Sequence, residues 1–221
     1  MFWIVADTVS VTGKYERKNP QDVILFVGSP GAGKSTFYWK QLEPLSYARV
    51  NQDILKTYSP AMIEDNLTFD ERDRCIKVAV ELLGEGKSVV VDREVRSKWV
   101  ALAAKHSVPI RCVHFLAGAQ ICEHNDAVRA LNGTVCLSSA PRISLCQLIL
   151  HEKLQVPHGR VSNPTQMNPE NRSILPKLAF TGFSSRYQKP EMTEGFQDIT
   201  EVPFKFEGSE AQREIWTQHW I

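Results

Sequence analysis

The chain has 221 residues, 43% hydrophobic and 23% charged, with a formal net charge of +1 at pH 7. That length allows one α/β domain with a sizeable core and excludes two large ones, and the composition excludes wholesale disorder. The near-neutral balance excludes an overall field that attracts nucleic acid, so any such binding needs a local basic groove.

Residues 1–22 end in the polar run Lys14 to Asp22 and read as a linker-like lead, the tail of something longer. Val23 to Val27 is continuously apolar, the pattern of a strand buried on both faces. The stretch Gly28-Ser29-Pro30-Gly31-Ala32-Gly33-Lys34-Ser35 follows and fits G-x-x-x-x-G-K-S/T. Thr36 then leads into a helix packed through Phe37, Trp39 and Leu42, expected to stop before Pro44. Tyr47 to Asp53 reads as a short strand with the polar tip Asn51-Gln52-Asp53. Thr68 to Glu71 forms a capping box, and Cys75, Ile76, Ala79, Leu82 and Leu83 recur at helical spacing before Gly84 and Gly86 end the helix.

Val89 to Asp92 is an apolar strand finishing on a carboxylate, followed by a helix with Trp99, Val100, Leu102 and Ala103 on its core face. Ile110 to Leu116 supplies another strand, and Ala119 to Leu131 a helix with Asn125 and Arg129 on one face. Alternating strands and helices imply a parallel sheet with helices on both sides. Residues 132–170, rich in proline, break the pattern and read as an irregular insertion. A turn of helix is expected near Gly182 to Tyr187 and a last strand around Ile199 to Phe206. The domain thus covers 23–206, and 207–221 is left as a C-terminal tail.

Cys75, Cys112, Cys122, Cys136 and Cys146 form no C-x-x-C pair and read as buried or incidental thiols of a reducing compartment. No apolar run reaches the roughly eighteen residues of a membrane span. Met1 to Val11 lacks the basic start of a signal peptide, so nucleus or cytoplasm is the expected location.

The glycine-rich stretch implies a bound nucleoside triphosphate. Glycines let the backbone curl close to an anion, and the start of the next helix presents free N–H donors and positive partial charge. Lys34 would reach the β- and γ-phosphates, and the Ser35 hydroxyl would hold Mg²⁺. Asp53 lies at the carboxyl end of its strand, where ligands of open parallel sheets bind. It suits either a base that takes the proton of an acceptor hydroxyl or a helix N-cap. Asp92 suits either a carboxylate that assists Mg²⁺ or a cap. Arg129 is either a lid arginine over the triphosphate or a solvated surface residue. His114 and His124 have no partner histidine at metal-ligand spacing and read as structural.

From Val23 to about Phe206 the chain resembles the kinase domain of the polynucleotide kinase/phosphatase family, especially its fungal form. The matching segments are the loop Gly28 to Thr36, the tip Val50-Asn51-Gln52-Asp53 and the strand Val89 to Asp92. The lid-like run His124 to Arg129 and the late block Phe180 to Tyr187 follow in order, with Glu194-Gly195-Phe196 and Glu201 to Phe204 completing the set. The resemblance implies a P-loop NTPase/kinase fold and transfer of the γ-phosphate of ATP, with Mg²⁺, to a 5′-hydroxyl of nucleic acid, DNA before RNA, in end repair. It implies Asp53 as general base, Lys34 and Arg129 as the other catalytic groups, and Ser35 as metal ligand. Nucleotide contacts fall to Gly28 through Thr36 and Asn125, and acceptor contacts to Gln52, Asp92, Arg96 and Arg186. A nuclear monomer with repair-protein partners is the implied setting.

The sequence departs from the family in three ways. Gln52 stands where an arginine is usual, Arg93-Glu94 follows Asp92 where an Asn-Thr-Asn-like run is usual, and residues 133–165 have no counterpart. No Asp-x-Asp-Gly-Thr motif occurs in residues 1–22, so 3′-phosphatase chemistry is not expected of this chain. A small-metabolite kinase on the same scaffold, or a catalytically weak nucleotide-binding scaffold, are the alternative readings.

Overall fold

Strand β1 (Val23–Val27) is apolar at every position, and each of its five side chains is buried. Such a strand must be covered on both faces. In the computed structural model, which describes residues 15–51, 71–92, 95–131, 173–206 and 208–218, it lies at the centre of a five-stranded sheet. The other strands are β2 (Ala48–Val50), β3 (Val89–Asp92), β4 (Ile110–Phe115) and β5 (Ile199–Val202). All pairings are parallel and the order is β2-β3-β1-β4-β5.

Alternation along β1 divides the core into two layers. Val23, Leu25 and Val27 face α2 (Glu71–Gly84) through Cys75, Ala79 and Leu83, and α3 (Arg96–Lys105) through Trp99, Leu102 and Ala103. Ile24 and Phe26 face Tyr38 and Leu42, which follow α1 (Lys34–Phe37). That second layer also contains Cys122 of α4 (Ala119–Leu131) and Phe180 of α5 (Lys177–Arg186). Helices therefore cover both faces, as the alternating pattern predicts. Cys75, Cys112 and Cys122 are buried thiols, and burial pushes Cys112 up to about 12, far from a reactive thiolate. Among the described residues no helix is long and apolar enough to cross a membrane.

Several boundaries differ from the sequence expectation. The helix after the loop does not stop before Pro44. It passes through a π-helical turn, Tyr38–Leu42, into a 3₁₀ turn, Glu43–Leu45, and ends at Ser46 with φ 61°. Pro44 lies in the first turn of that 3₁₀ segment, where a missing N–H costs nothing. The two edge strands are shorter than expected, β2 ending at Val50 before Asn51 and β5 at Val202 before Pro203. The late turn of helix is a full helix from Lys177, anchored by buried Phe180, with Gly182 inside it lowering its intrinsic propensity. The capping box tip, the 132–170 insertion, Gln52 and Asp53 lie outside the described residues.

The polar segment before β1 is docked on the amino end of the sheet. Arg111 of β4 is 2% exposed. Its Nε donates to both oxygens of Asp198 at 3.0 Å, and its Nη1 lies 3.7 Å from Oδ2 of the fully buried Asp22. The guanidinium also sits 4.7 Å from the centre of the Tyr15 ring. Arg17 donates to Ser88 Oγ at 2.6 Å and lies over the Tyr47 ring. Residues 15–22 look like a linker because they are polar, and they pack because Tyr15, Arg17, Gln21 and Asp22 each reach a partner on the domain.

Removing one partner from a buried ion cluster strands the other charge. Arg111→Met should therefore cost about 3–5 kcal/mol in urea unfolding. Adding Asp22→Asn to Arg111→Met should recover part of that loss, which a purely steric role for Arg111 would not allow.

Candidate active site

The chain leaves β1 toward β2 on one side of the sheet, and its neighbour β4 leads to β5 on the other. Ligands of open parallel sheets bind in the crevice where neighbouring strands part in this way, beyond their carboxyl ends. The glycine-rich loop lies there. A Cβ on Gly28 would stand 2.8 Å from Cβ of Phe115, the last residue of β4. Gly31 has φ 76°, and a Cβ there would stand 2.1 Å from the carbonyl oxygen of Cys122. Gly33, the N-cap of α1, has φ 92° with open space around it. The first glycine thus lets β4 approach, the second lets α4 lie on the loop, and the third supplies only a left-handed turn.

Lys34 Nζ donates to the carbonyls of Gly28 at 2.6 Å and Ser29 at 3.1 Å, so its ammonium lies across the loop that precedes it. Ser35 Oγ accepts a hydrogen bond from Arg49 Nη2 at 2.8 Å. Arg49 comes from β2 and lies over the rings of Tyr38 and Trp39. Asn125 Nδ2, on α4, donates to the Gly31 carbonyl at 2.9 Å. One turn later Arg129 is ion-paired to Asp126, whose other oxygen accepts from the Leu175 N–H at 2.7 Å. The sequence thus places Lys34, Ser35, Asn125 and Arg129 on two elements that meet at Gly31.

The acceptor-side candidates are more scattered. Asp92 ends β3, paired in register with Phe26 beside the loop. Arg96 opens α3 and makes a two-pronged ion pair with Glu194, at 2.6 and 2.9 Å, while Nη1 donates to the Gln188 carbonyl. Burial works against ionised Glu194, but the Arg96 hydrogen bonds outweigh it and hold the carboxyl below its ordinary value. These residues, with Lys189 and Glu191, line a groove of about 540 Å³. Arg186 is exposed at the end of α5.

His124 has a structural role, as expected: Nε2 donates to the Trp216 carbonyl at 2.8 Å and the two rings meet edge to face. His114 is buried near the carboxyl end of β4, with Tyr187 Oη 2.7 Å from Nε2 and Glu201 3.8 Å from Nδ1. Burial lowers its pKa from the ordinary 6.5, with Glu201 opposing and Lys189 and Arg96 reinforcing the shift. Two residues at the site escape sequence reading. Arg49 sits in a short edge strand with no motif of its own. Trp216 lies in residues 207–221, read as a tail, yet α6 (Glu210–Gln218) is helical and packs on α4.

A parallel sheet in this order, whose central strand ends in a Gly-rich Lys-Ser loop, defines a P-loop NTPase/kinase fold. The chain belongs to the AAA domain family, which matches it over residues 23–143. The similarity that the motifs imply is also found directly. A bifunctional polynucleotide phosphatase/kinase of Schizosaccharomyces pombe is 30% identical over 208 residues, 92% of this chain and 38% of that protein. The chain thus spans well under half of that relative. The Arabidopsis thaliana transcription factor bHLH140 is 32% identical over 112 residues, 48% of this chain and 11% of that protein. A solved gluconokinase from Sinorhizobium meliloti aligns with a TM-score of 0.45 at 16% identity, covering 92% of this chain and 93% of its own.

The loop geometry separates two similar substitutions. Gly31→Ala should abolish ATP binding in calorimetric titration, because Cβ would overlap the Cys122 backbone. Gly33→Ala should keep binding and cost about 1–2 kcal/mol in urea unfolding, the strain of a left-handed alanine.

The buried His114 predicts a pH effect on stability. Its charged form is disfavoured when folded, so its contribution is full above the unfolded value of 6.5 and is lost as pH falls below it. Between about pH 7 and pH 5 the urea midpoint should fall, and His114→Asn should flatten that slope.

Proposed function

We propose that this chain transfers the γ-phosphate of ATP to the 5′-hydroxyl end of a polynucleotide, DNA before RNA, in the repair of strand ends. The observation that carries this reading is the similarity to a polynucleotide phosphatase/kinase across 92% of the chain. It includes both elements that meet at Gly31 and the polar tip after β2.

In this reading the reaction is an in-line displacement. The acceptor 5′-oxygen forms a bond to the γ-phosphorus as the bond from phosphorus to the β–γ bridging oxygen breaks, and ADP leaves. Asp53 takes the acceptor proton. Positioning and charge stabilisation supply most of the acceleration. Lys34 exchanges the Gly28 and Ser29 carbonyls for phosphate oxygens. Arg129 lies one turn from Asn125 and competes between Asp126 and the transferring group.

Mg²⁺ in such sites takes most of its ligands from phosphates and water, so a single protein hydroxyl is a sufficient contribution. Ser35 fits that part, provided Arg49 yields the hydroxyl oxygen it now donates to. When bound, the ion neutralises charge between the phosphates. Asp92, Gln52, Arg96 and Arg186 form the acceptor side, and Arg96 is available to a strand phosphate to the extent that one displaces Glu194. A nuclear, monomeric enzyme working with repair proteins is the setting that this reading implies.

The test incubates the protein with γ-labelled ATP, Mg²⁺ and a 5′-hydroxyl oligonucleotide. Label should pass to the 5′ end, and Lys34→Ala should lower kcat by about 10²–10³. Asp53→Ala should lower it by about 10²–10⁴. Oligonucleotide affinity should fall as salt rises, the sign of phosphate contacts. ATP binding with no transfer would favour a scaffold, and transfer to sugars or nucleosides instead would favour a metabolite kinase. Undiminished transfer by Asp53→Ala would remove that residue as the base.

A further inference from the structure

We propose that Trp216, in the C-terminal helix α6, is a positioning residue for the phosphate loop and sets ATP affinity through Asn125. The indole Nε1 donates to Asn125 Oδ1 at 2.8 Å, and Asn125 Nδ2 donates to the Gly31 carbonyl at 2.9 Å. The chemistry of the three groups permits only this arrangement. An indole N–H can only donate and a backbone carbonyl can only accept. The carboxamide between them must therefore turn its oxygen to Trp216 and its NH₂ to Gly31. Without the indole N–H, the amide oxygen loses its donor and only the bond to Gly31 holds the amide's orientation.

The Gly31 carbonyl matters because a loop that receives phosphate must turn its N–H groups toward the anion and its oxygens away. Asn125 holds one of those oxygens against α4. Contact between the Gly31 Cα region and the Cys122 backbone already brings the loop to that helix. The hydrogen bond then selects the orientation of the peptide.

The indole is itself fixed from several directions. His124 meets its ring edge to face with centroids 4.7 Å apart, and His124 Nε2 donates to its backbone carbonyl. Phe204 and Phe206, just after β5, lie 6.0 and 5.5 Å from it between ring centroids. A continuous path thus runs from the end of β5 through Trp216 and Asn125 to the loop. The inference rests on the reading that this loop receives a triphosphate.

The test measures ATP dissociation constants, in the presence of Mg²⁺, by calorimetry for the full chain, Trp216→Phe, Asn125→Ala and the double variant. Trp216→Phe keeps the ring contacts and removes the donor. It should weaken ATP binding about threefold to tenfold, the effect of one lost hydrogen bond in a partly buried network. The double variant should bind no more weakly than Asn125→Ala alone, because the two residues act in series. In Trp216→Phe, KM for ATP should rise while kcat and the oligonucleotide KM stay within about twofold, and amide exchange at residues 28–33 should quicken without ATP.

Unchanged ATP affinity in Trp216→Phe, or effects that multiply in the double variant, would overturn the proposal. Should Trp216→Phe melt early, Asn125→Leu serves instead. It keeps the side chain's size, adds no charge and removes the donor to Gly31, and must show the same fall. Coupled ATP affinities with no transfer to the oligonucleotide would remove the polynucleotide reading and keep this one. Transfer with uncoupled affinities would do the reverse, and failure of the unaltered chain to bind ATP would remove both.

Discussion

The close approach of the phosphate loop to helix α4 is the contact on which the site depends. It requires a glycine at position 31, since a Cβ there would stand 2.1 Å from the Cys122 carbonyl. It also requires a central strand short enough to end where β4 ends, so that Gly28 meets Phe115 and α4 can start just beyond. Once the loop rests on α4, Asn125 on that helix reaches back to the Gly31 carbonyl. Backbone proximity does this before any side chain acts.

That contact also explains which parts of the chain could be read in advance. The strand, loop and following helix were legible because a continuous apolar run and a glycine pattern each have few physical solutions. The helix that carries Asn125 and Arg129 was legible as well. The sheet order was not, because parallel strands are joined by crossovers and no local signal says which strand lies beside which. Residues 15–22 and 208–218 were misread for one reason. Both are polar, and their attachment comes from a few specific groups, such as Arg17 on Ser88 or Trp216 on Asn125, that composition averages away. In α6 only Ile215 and Trp216 are large apolar residues, too few for a periodic signal.

The sheet has a charged cluster at one end and the phosphate loop at the other, and the two obey opposite rules. At the amino end Arg111 and Asp22 are buried and Asp198 is partly exposed, and the two carboxylates flank the guanidinium, so the cluster fixes geometry. At the carboxyl end Lys34, Arg49 and Arg129 are half-buried and rest on a carbonyl pair, a hydroxyl and a carboxylate. Those partners differ in strength. A carbonyl carries no net charge, so a phosphate oxygen outcompetes it readily, whereas a carboxylate does not yield to a weak anion.

The proposed phosphoryl transfer would make a particular demand on the ion pair of Arg129 with Asp126. Arg129 is held by Asp126, and that carboxylate is 1% exposed and also anchored by the Leu175 N–H. Freeing Arg129 would strand a buried carboxylate, at a cost of several kcal/mol unless a stronger anion takes the arginine. Charge spread over three equatorial oxygens, as on a phosphoryl group in transfer, is the kind of anion that meets that demand. In the proposed transfer, an arginine so held would stay with Asp126 against singly charged ligands and would leave it only for an anion of higher total charge. A surface arginine would bind both alike, and the buried partner is what makes the distinction possible.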